Sequence, residues 1–327
     1  MAHSLGNKIS MKSKPSIYII VPCFNEEAIL AFSNKKLEDQ ISKLANNNLC
    51  CPLNSRILYI DDGSTDGTWR LISSFAERSK FVEGIKLSRN NGHQNALLAG
   101  LNECVNKCDL CISIDADLQD NLEVSSQMIE HYMAGYDIVY GIRNDRSSDS
   151  RSKRFYANFF YSLMLAMGVE IIPGHADYRL ISRRALIELL RYQERALFLR
   201  GIIPLLGFKT AAVYYARTAR VAGSSKYPFR KSLALAVDGI ISFSNIPLRA
   251  IAYLGCAMAL LAAIGIIAIF INTLQGNTVQ GWPSLMVALF FIGGCQLLSI
   301  GILGEYLGRI YKEVKQRPRY HLEERIK

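Results

Sequence analysis

"CISIDADLQD", residues 111–120, is an apolar run that stops abruptly at two aspartates one residue apart. A short apolar run bounded by polar residues is the pattern of a strand buried in a core. Carboxylates at its end are costly unless something positive meets them. The run has counterparts upstream. "IYIIV" (17–21) is continuous, rich in β-branched residues and closed by Pro22, and "RILYI" (56–60) stops at "DDGSTDGT". "FVEGIKLS" (81–88) is a third strand candidate and "DIVYGIR" (137–143) a fifth, while helical patterns cover 68–76 and "HQNALLAGLNECV" (93–105). Strands alternating with helices imply right-handed crossovers and a mostly parallel sheet covered on both faces, an α/β fold. Ligands of such sheets sit beyond the carboxyl ends of the strands. "PCFNEE", "DDGSTDG" and "DADLQD" all fall at those ends, and that coincidence locates the site.

The chain has 327 residues and a formal net charge of +10, which suits nucleic acid, an anionic membrane surface or a phosphorylated substrate about equally. Apolar residues are unevenly spread. "IAYLGCAMALLAAIGIIAIFI" (251–271) and "WPSLMVALFFIGGCQLLSIGILG" (282–304) carry no charge, and each is long enough to span the roughly 30 Å hydrocarbon core of a bilayer. Between them "NTLQGNTVQG" lacks Lys and Arg, whereas the segment after Glu305 carries Arg309, Lys312, Lys315, Arg317, Arg319, Arg325 and Lys327. Positive charge on one side orients a transmembrane hairpin with both ends, and the large N-terminal domain, cytoplasmic. "KSLALAVDGIISF" (231–243) sets Leu233, Ala236, Val237, Ile240 and Ile241 on one helical face between basic flanks, the pattern of a helix lying in the headgroup region. "FYANFFYSLMLAMG" (155–168) reads equally as a core helix or a helix touching membrane, and the charged run 143–154 before it as an exposed loop.

The organisation expected is therefore a polar tail over 1–16, a catalytic domain over 17–225 and a juxtamembrane amphipathic region over 226–250. A transmembrane hairpin over 251–304 and a basic cytoplasmic tail over 305–327 follow. The N-terminus has no apolar stretch of the signal-peptide kind. Eight cysteines suggest no disulfide framework, which favours a reducing compartment. Cys104, Cys108 and Cys111 lack a fourth ligand for zinc, and their expected positions on a helix and a strand scatter the sulfurs.

Residues i and i+2 of a strand point to one side, so Asp115 and Asp117 present two carboxylates together. A divalent cation is the simplest remedy for their repulsion. Oxygen ligands without histidine favour Mg²⁺ or Mn²⁺ carrying phosphate oxygens, with Gln119 a further neutral oxygen nearby. Asp61 and Asp62 suit a base N–H or ribose hydroxyl, against the plainer reading of a turn with a helix cap at Ser64, Thr65 or Asp66. Neither G-x-x-x-x-G-K-[ST] nor G-x-G-x-x-G occurs, which argues against an ATPase or a dinucleotide dehydrogenase.

"IIVPCFNEE", "YIDDGSTDGTW", "ISIDADLQD", "GHADYRLISRRAL" and "RVAGSSKYPFRK" together resemble the family 2 glycosyltransferases of GT-A fold. More narrowly the chain resembles the polyprenyl-phosphate glycosyltransferases, which include dolichol-phosphate mannose synthase and the bacterial undecaprenyl-phosphate glucosyltransferases with a two-helix membrane anchor. The resemblance implies that Pro22, Phe24, Glu26, Ile60 and Asp62 form the nucleotide pocket. It implies that Asp115, Ala116, Asp117 and Gln119 form the donor and metal site, and that Arg143, Arg220 and Lys226 are phosphate-binding cations, with Arg151 and Arg154 as further candidates on the acceptor side. Asp177 is the remaining carboxylate for aligning or assisting the acceptor, against a plain salt bridge to Arg179 or a neighbouring arginine. The implied reaction is metal-dependent, inverting transfer of a hexose from a UDP- or GDP-linked donor to a polyprenyl monophosphate, with UDP-glucose the first choice. The implied setting is the cytoplasmic face of the inner or plasma membrane, as a homo-oligomer, a tetramer by likeness to close relatives, with no nucleic-acid partner.

Two other functions compete. A processive polysaccharide synthase shares this catalytic domain but carries Q-x-x-R-W. Here the only tryptophans are Trp69 and Trp282, neither preceded by arginine. A decayed, membrane-anchored binding module would not need Asp115, Asp117 and Arg220.

Overall fold

A computed structural model describes residues 14–144, 175–194, 199–216, 246–275 and 281–327. The expected helices within 155–168 and 231–243 lie outside them. So do Arg151, Arg154, Arg220 and Lys226. The described residues fall into a sheet unit and a separate helical unit.

The sheet unit begins with β1 (Ile17–Cys23), every residue of which is buried. It is followed by α1 (Glu27–Asn46), β2 (Arg56–Asp61), α2 (Thr68–Arg78), β3 (Val82–Leu87), α3 (His93–Cys104), β4 (Leu110–Ser113), α4 (Val124–Met133) and β5 (Ile138–Arg143). The apolar runs read from the sequence thus become strands within a residue or two of their expected ends. α1 buries Ile29, Leu30, Ser33, Asn34, Leu37, Gln40, Ile41 and Leu44, a stripe of 3.6-residue period. Each fully covered Leu or Ile in it contributes on the order of 1.5–3 kcal/mol.

Three further strands were not legible as strands: β6 (His175–Ser182), β7 (Thr210–Tyr215) and β8 (Leu322–Ile326). With α5 (Arg183–Leu190) and α6 (Leu199–Leu205) they complete an eight-stranded sheet of order β7-β5-β6-β4-β1-β2-β3-β8. β1, β2, β3 and β4 are parallel, as are β5 and β7, while β6 and β8 run antiparallel to their neighbours. The strand order reverses at β1, with β2 on one side and β4 on the other. Such a switch point opens a crevice at the carboxyl ends of the two diverging strands. Those ends carry "PCFNEE" and "IDADLQD".

Two expectations are corrected. The segment after Glu305 is not merely a basic tail, because β8 adds to the open edge of β3. Trp69 Nε1 donates to Glu324 at 2.9 Å, Lys86 pairs with Glu323 at 3.2 Å and Arg325 with Glu103 at 3.2 Å. An unpaired strand edge is a liability, and pairing satisfies it. The sulfurs of Cys104, Cys108 and Cys111 are not scattered either. Cys104 ends α3, Cys108 follows the turn after it and Cys111 lies in β4, yet Cys104 stands within hydrogen-bond reach of both others. All three are buried, the thiols of Cys104 and Cys108 are pushed upward, and the described residues contain no three-ligand metal cluster.

The helical unit holds α7 (Ile246–Leu274) and α8 (Trp282–Val314), 29 and 33 residues long. α8 continues ten residues beyond the uncharged span. Many of their large apolar side chains are exposed, among them Leu260, Leu261, Leu297 and Ile300.

Candidate active site

β4 ends at Ser113, before the aspartates. Residues 115–118 form a turn in which Leu118 N–H donates to the Asp115 carbonyl at 3.2 Å and Leu118 has φ 45°. The i, i+2 alternation of a strand therefore does not govern this pair, and the turn presents the carboxylates. Asp115 and Asp117 are partly exposed, whereas Ala116 and Gln119 are buried. The Ala116 carbonyl accepts from Ser33 Oγ at 2.6 Å, which ties the turn to α1.

β6 brings the third carboxylate. Its antiparallel register on β4 ends where Ser113 pairs with Arg179, and Ser113 Oγ donates to the Asp177 carbonyl, which brings Asp177 beside the turn of Asp115. Asp177 is enclosed by cations. Arg179 Nη2 pairs with Oδ1, Arg200 donates to both carboxylate oxygens at 3.2 and 3.0 Å, and His93 Nε2 lies 3.5 Å from Oδ2. The same His93 nitrogen is 3.7 Å from Asp115 Oδ1. Burial pushes the Asp177 carboxyl upward, but the hydrogen bond from His93 and the charges of Arg179 and Arg200 overcome it. The net result holds Asp177 far below the usual carboxylate range. Asp115 moves the other way: burial raises it, and Asp177, Asp120 and Asp117 add to the rise against His93.

A hard dication fits this donor set. Two partly exposed carboxylates stand on one turn, and around Asp115 the carboxylates of Asp177, Asp120 and Asp117 add to the rise that burial imposes.

The loops after β1 and β2 close on each other. Asn25 N–H donates to Ser64 Oγ at 2.9 Å and Thr65 N–H to Asn25 Oδ1 at 2.9 Å. Glu26 N–H donates to Thr68 Oγ1 at 2.9 Å and Gly67 N–H to Glu27 Oε2 at 2.9 Å. Asp66 accepts from Thr68 N–H at 3.0 Å, so the turn reading holds for that residue, but the residue that caps α2 is Gly67 and not one of Ser64, Thr65 or Asp66. Of the expected nucleotide pocket, Pro22 and Ile60 are register partners in the sheet and buried, while Phe24 is 43 % exposed at the strand end. Asp62 receives the amides of Asn91 at 2.8 Å and Gly92 at 2.9 Å, so both its oxygens are engaged by backbone. Beside it, Asp61 Oδ2 is buried with no hydrogen-bond partner among the described residues. An orphaned acceptor of this kind costs about 1–3 kcal/mol until a donor meets it.

Arg143 makes a two-pronged ion pair with Asp120 at 2.9 and 3.1 Å, and Tyr215 donates its hydroxyl to Asp120 at 2.7 Å. Its expected phosphate contact therefore starts from a guanidinium already docked on a buried carboxylate. His93, Asp120 and Arg200 were not singled out from the sequence. The histidine heads an ordinary-looking helix, and Arg200 lies in an unremarkable apolar stretch, 23 residues from its carboxylate.

The model of the family Glycosyl transferase family 2 matches residues 18–190. The chain belongs to glycosyltransferase family 2. It is a glycosyltransferase, with the GT-A-like, mostly parallel mixed sheet of that family. The chain is 47 % identical over 312 residues to the glycosyltransferase YkoT of Bacillus subtilis, covering 95 % of this chain and 92 % of that one. It is 42 % identical to the SfII prophage-derived bactoprenol glucosyl transferase of Shigella flexneri, covering 93 % and 96 %. The Shigella phage SfX bactoprenol glucosyl transferase is 40 % identical, covering 94 % and 99 %. Among solved structures, glucosyl-3-phosphoglycerate synthase of Mycobacterium tuberculosis with Mn²⁺, UDP and phosphoglyceric acid has a TM-score of 0.46. It is 19 % identical and covers 70 % of this chain and 78 % of that one, too loose a likeness to bear on residues or ligands.

Proposed function

We propose that this glycosyltransferase moves glucose from UDP-glucose to a polyprenyl monophosphate at a membrane surface, with inversion at the sugar. The observation that carries the reading is the end-to-end likeness, at 42 % identity over 93 % of the chain, to an enzyme named for bactoprenol glucosyl transfer. The site supports it chemically. Asp61 offers an acceptor suited to a nucleobase N–H, and the turn after β4 offers paired carboxylates suited to the pyrophosphate's counter-ion. Asp115 and Asp117 would hold a Mg²⁺ or Mn²⁺, which when bound supplies charge neutralisation for the departing diphosphate.

A lipid monophosphate has its second pKa near 6 and is largely a dianion at neutral pH. One of its oxygens attacks the anomeric carbon as the bond from that carbon to the diphosphate oxygen breaks, with its electron pair leaving on UDP. No proton needs to be removed. Asp177 fits that economy, because its arginine partners keep it ionised and make it a poor base near neutrality. It acts as an orienting anion, holding Arg200 and Arg179 where negative charge accumulates. Arg220 and Lys226, outside the described residues, are proposed as further phosphate cations.

The membrane setting rests on α7 and α8, about 44 and 50 Å long, against a hydrocarbon core of roughly 30 Å. The pairing of β8 with β3 supports an even number of crossings, because it requires the C-terminus to share one side with the catalytic sheet. With the basic residues after α8, that side is the cytoplasmic one, at the inner or plasma membrane.

The test is incubation of full-length protein in membranes with radiolabelled UDP-glucose and polyprenyl monophosphate. Label should enter a single-sugar lipid phosphate whose anomeric configuration is opposite to the donor's. Retention would defeat the single displacement, polymer would favour a processive synthase, and no transfer from any nucleotide sugar would end the reading.

A further inference from the structure

The carboxylate of Asp115 comes from the turn after β4 and that of Asp177 from β6, and the group facing both comes from neither. His93 is the first residue of α3. Its Nε2 lies 3.7 Å from Asp115 Oδ1 and 3.5 Å from Asp177 Oδ2, at ion-pair distance from each when the imidazole is protonated. α3 is firmly seated, with Ala96, Leu97, Leu98, Ala99, Leu101 and Cys104 all buried. Its first turn is tied sideways as well, because Gln94 Oε1 accepts from Leu199 N–H at 3.3 Å at the start of the helix that carries Arg200.

The position of His93 along the crevice depends on the turn before it. Gly92, the residue preceding the helix, sits at φ 88°, a conformation that L side chains rarely adopt. Its amide and that of Asn91 both donate to the Asp62 carboxylate. The loop of Asp62 also lies flush on this turn, since a Cβ at Gly63 would stand 2.5 Å from the Arg89 carbonyl carbon. A carboxylate at the end of β2 therefore holds the start of α3, and the start of α3 holds His93.

We propose that His93 is a positioning residue of the transfer reaction, bridging Asp115 on the donor side to Asp177 on the acceptor side. We propose further that Asp62 acts through it rather than on the nucleotide. Two neighbouring anions repel, and a donor fixed between them sets their separation. The chemistry needs that separation held closely, because a misplacement of about 1 Å can cost on the order of 100-fold in rate. The inference rests on the transfer reading given above.

Steady-state transfer by the purified full-length enzyme is measured with UDP-glucose and polyprenyl phosphate, alongside calorimetric binding of UDP and melting temperature. His93→Ala should lower kcat by about 100-fold while the Kd for UDP stays within about twofold. His93→Gln, whose amide keeps a donor, should recover about tenfold of that loss. Asp62→Asn should reproduce the kcat loss without weakening UDP. The double variant should be no worse than the weaker single one, the non-additivity expected of residues acting as a unit. Unchanged kcat in His93→Ala overturns the bridge. Weakened UDP binding with normal kcat in Asp62→Asn returns that residue to the nucleotide pocket, and multiplicative losses sever it from His93. Should His93→Ala fail to fold, His93→Gln decides: wild-type kcat rejects the bridge and a partial loss at unchanged melting temperature supports it. A wild-type enzyme that transfers no glucose sinks the functional reading together with this one, whereas an active wild type indifferent to His93 sinks only the bridge.

Discussion

The two halves of the strand-end crevice are built on opposite principles. On the β1–β2 side, the loops of Asn25, Glu27, Ser64 and Asp66 satisfy one another, and almost every polar group has a neighbour within the protein. On the β4–β6 side, Asp115, Asp117 and Asp177 gather: Arg179 and Arg200 hold Asp177, whereas burial, with the neighbouring carboxylates adding to it, pushes the Asp115 carboxyl up. Apart from the open Asp61 Oδ2 acceptor, the first half is a scaffold that satisfies itself. The second is incomplete without a ligand, and incompleteness of that kind is where perturbed groups and chemistry coincide.

The comparison breaks most visibly if the β4–β6 half is emptied of charge. Asp117→Ala should reduce transfer by about 1,000-fold or more while circular dichroism and melting temperature stay at wild-type values. Loss of folding instead would make that carboxylate part of the scaffold. Chelation should act in the same place: EDTA should abolish transfer, and added Mn²⁺ or Mg²⁺ should restore it. Activity that persists through exhaustive chelation would remove the ion from the account. Arg200→Lys keeps the charge but loses the two-pronged contact with Asp177. It should cost about 10- to 100-fold in kcat with UDP binding intact.

The scaffold half should answer in stability rather than rate. Glu27→Ala removes the acceptor for Gly67 N–H and the partner of Arg70. It should cost about 1 kcal/mol, seen as a few degrees in melting temperature, with transfer near normal. The smallest effect belongs to the C-terminal strap. Burial raises the Glu103 carboxyl, but Lys107 and Arg325 overcome it and hold it below its ordinary value. The stabilisation it adds is therefore complete above that ordinary value and is lost as pH falls through the depressed one. Trp69, hydrogen-bonded to β8, should report loosening as a change in emission on acidification in a Trp282→Phe background. A flat titration would mean that β8 stays docked without Glu103.

Much of the scaffold was legible because its signals are local. The apolar runs of β1, β2 and β4 are short, continuous and bounded by polar residues, and burial on both faces of a parallel sheet needs little else. The acidic ends of those runs marked the crevice for the same reason. The rest depended on pairings that periodicity does not encode. "HADYRLIS" (175–182) has too mixed a pattern to declare itself a strand, and it becomes β6 only because β4 and β5 both accept it antiparallel. Asp62 looked like a nucleotide contact because it ends a strand, yet its carboxylate is taken by amides 29 and 30 residues later. β8 follows α8 by a few residues and pairs with a strand more than 230 residues upstream.

By itself, then, the sequence determined the alternation of strands and helices, the acidic rim of the sheet and the two long apolar helices. These follow from the order and spacing of side chains along a short stretch. Only the tertiary structure decided which carboxylates face one another, which arginines hold Asp177 and what stands between Asp177 and Asp115. A charge's role is set by its neighbours in space, and in this protein those neighbours come from distant parts of the chain.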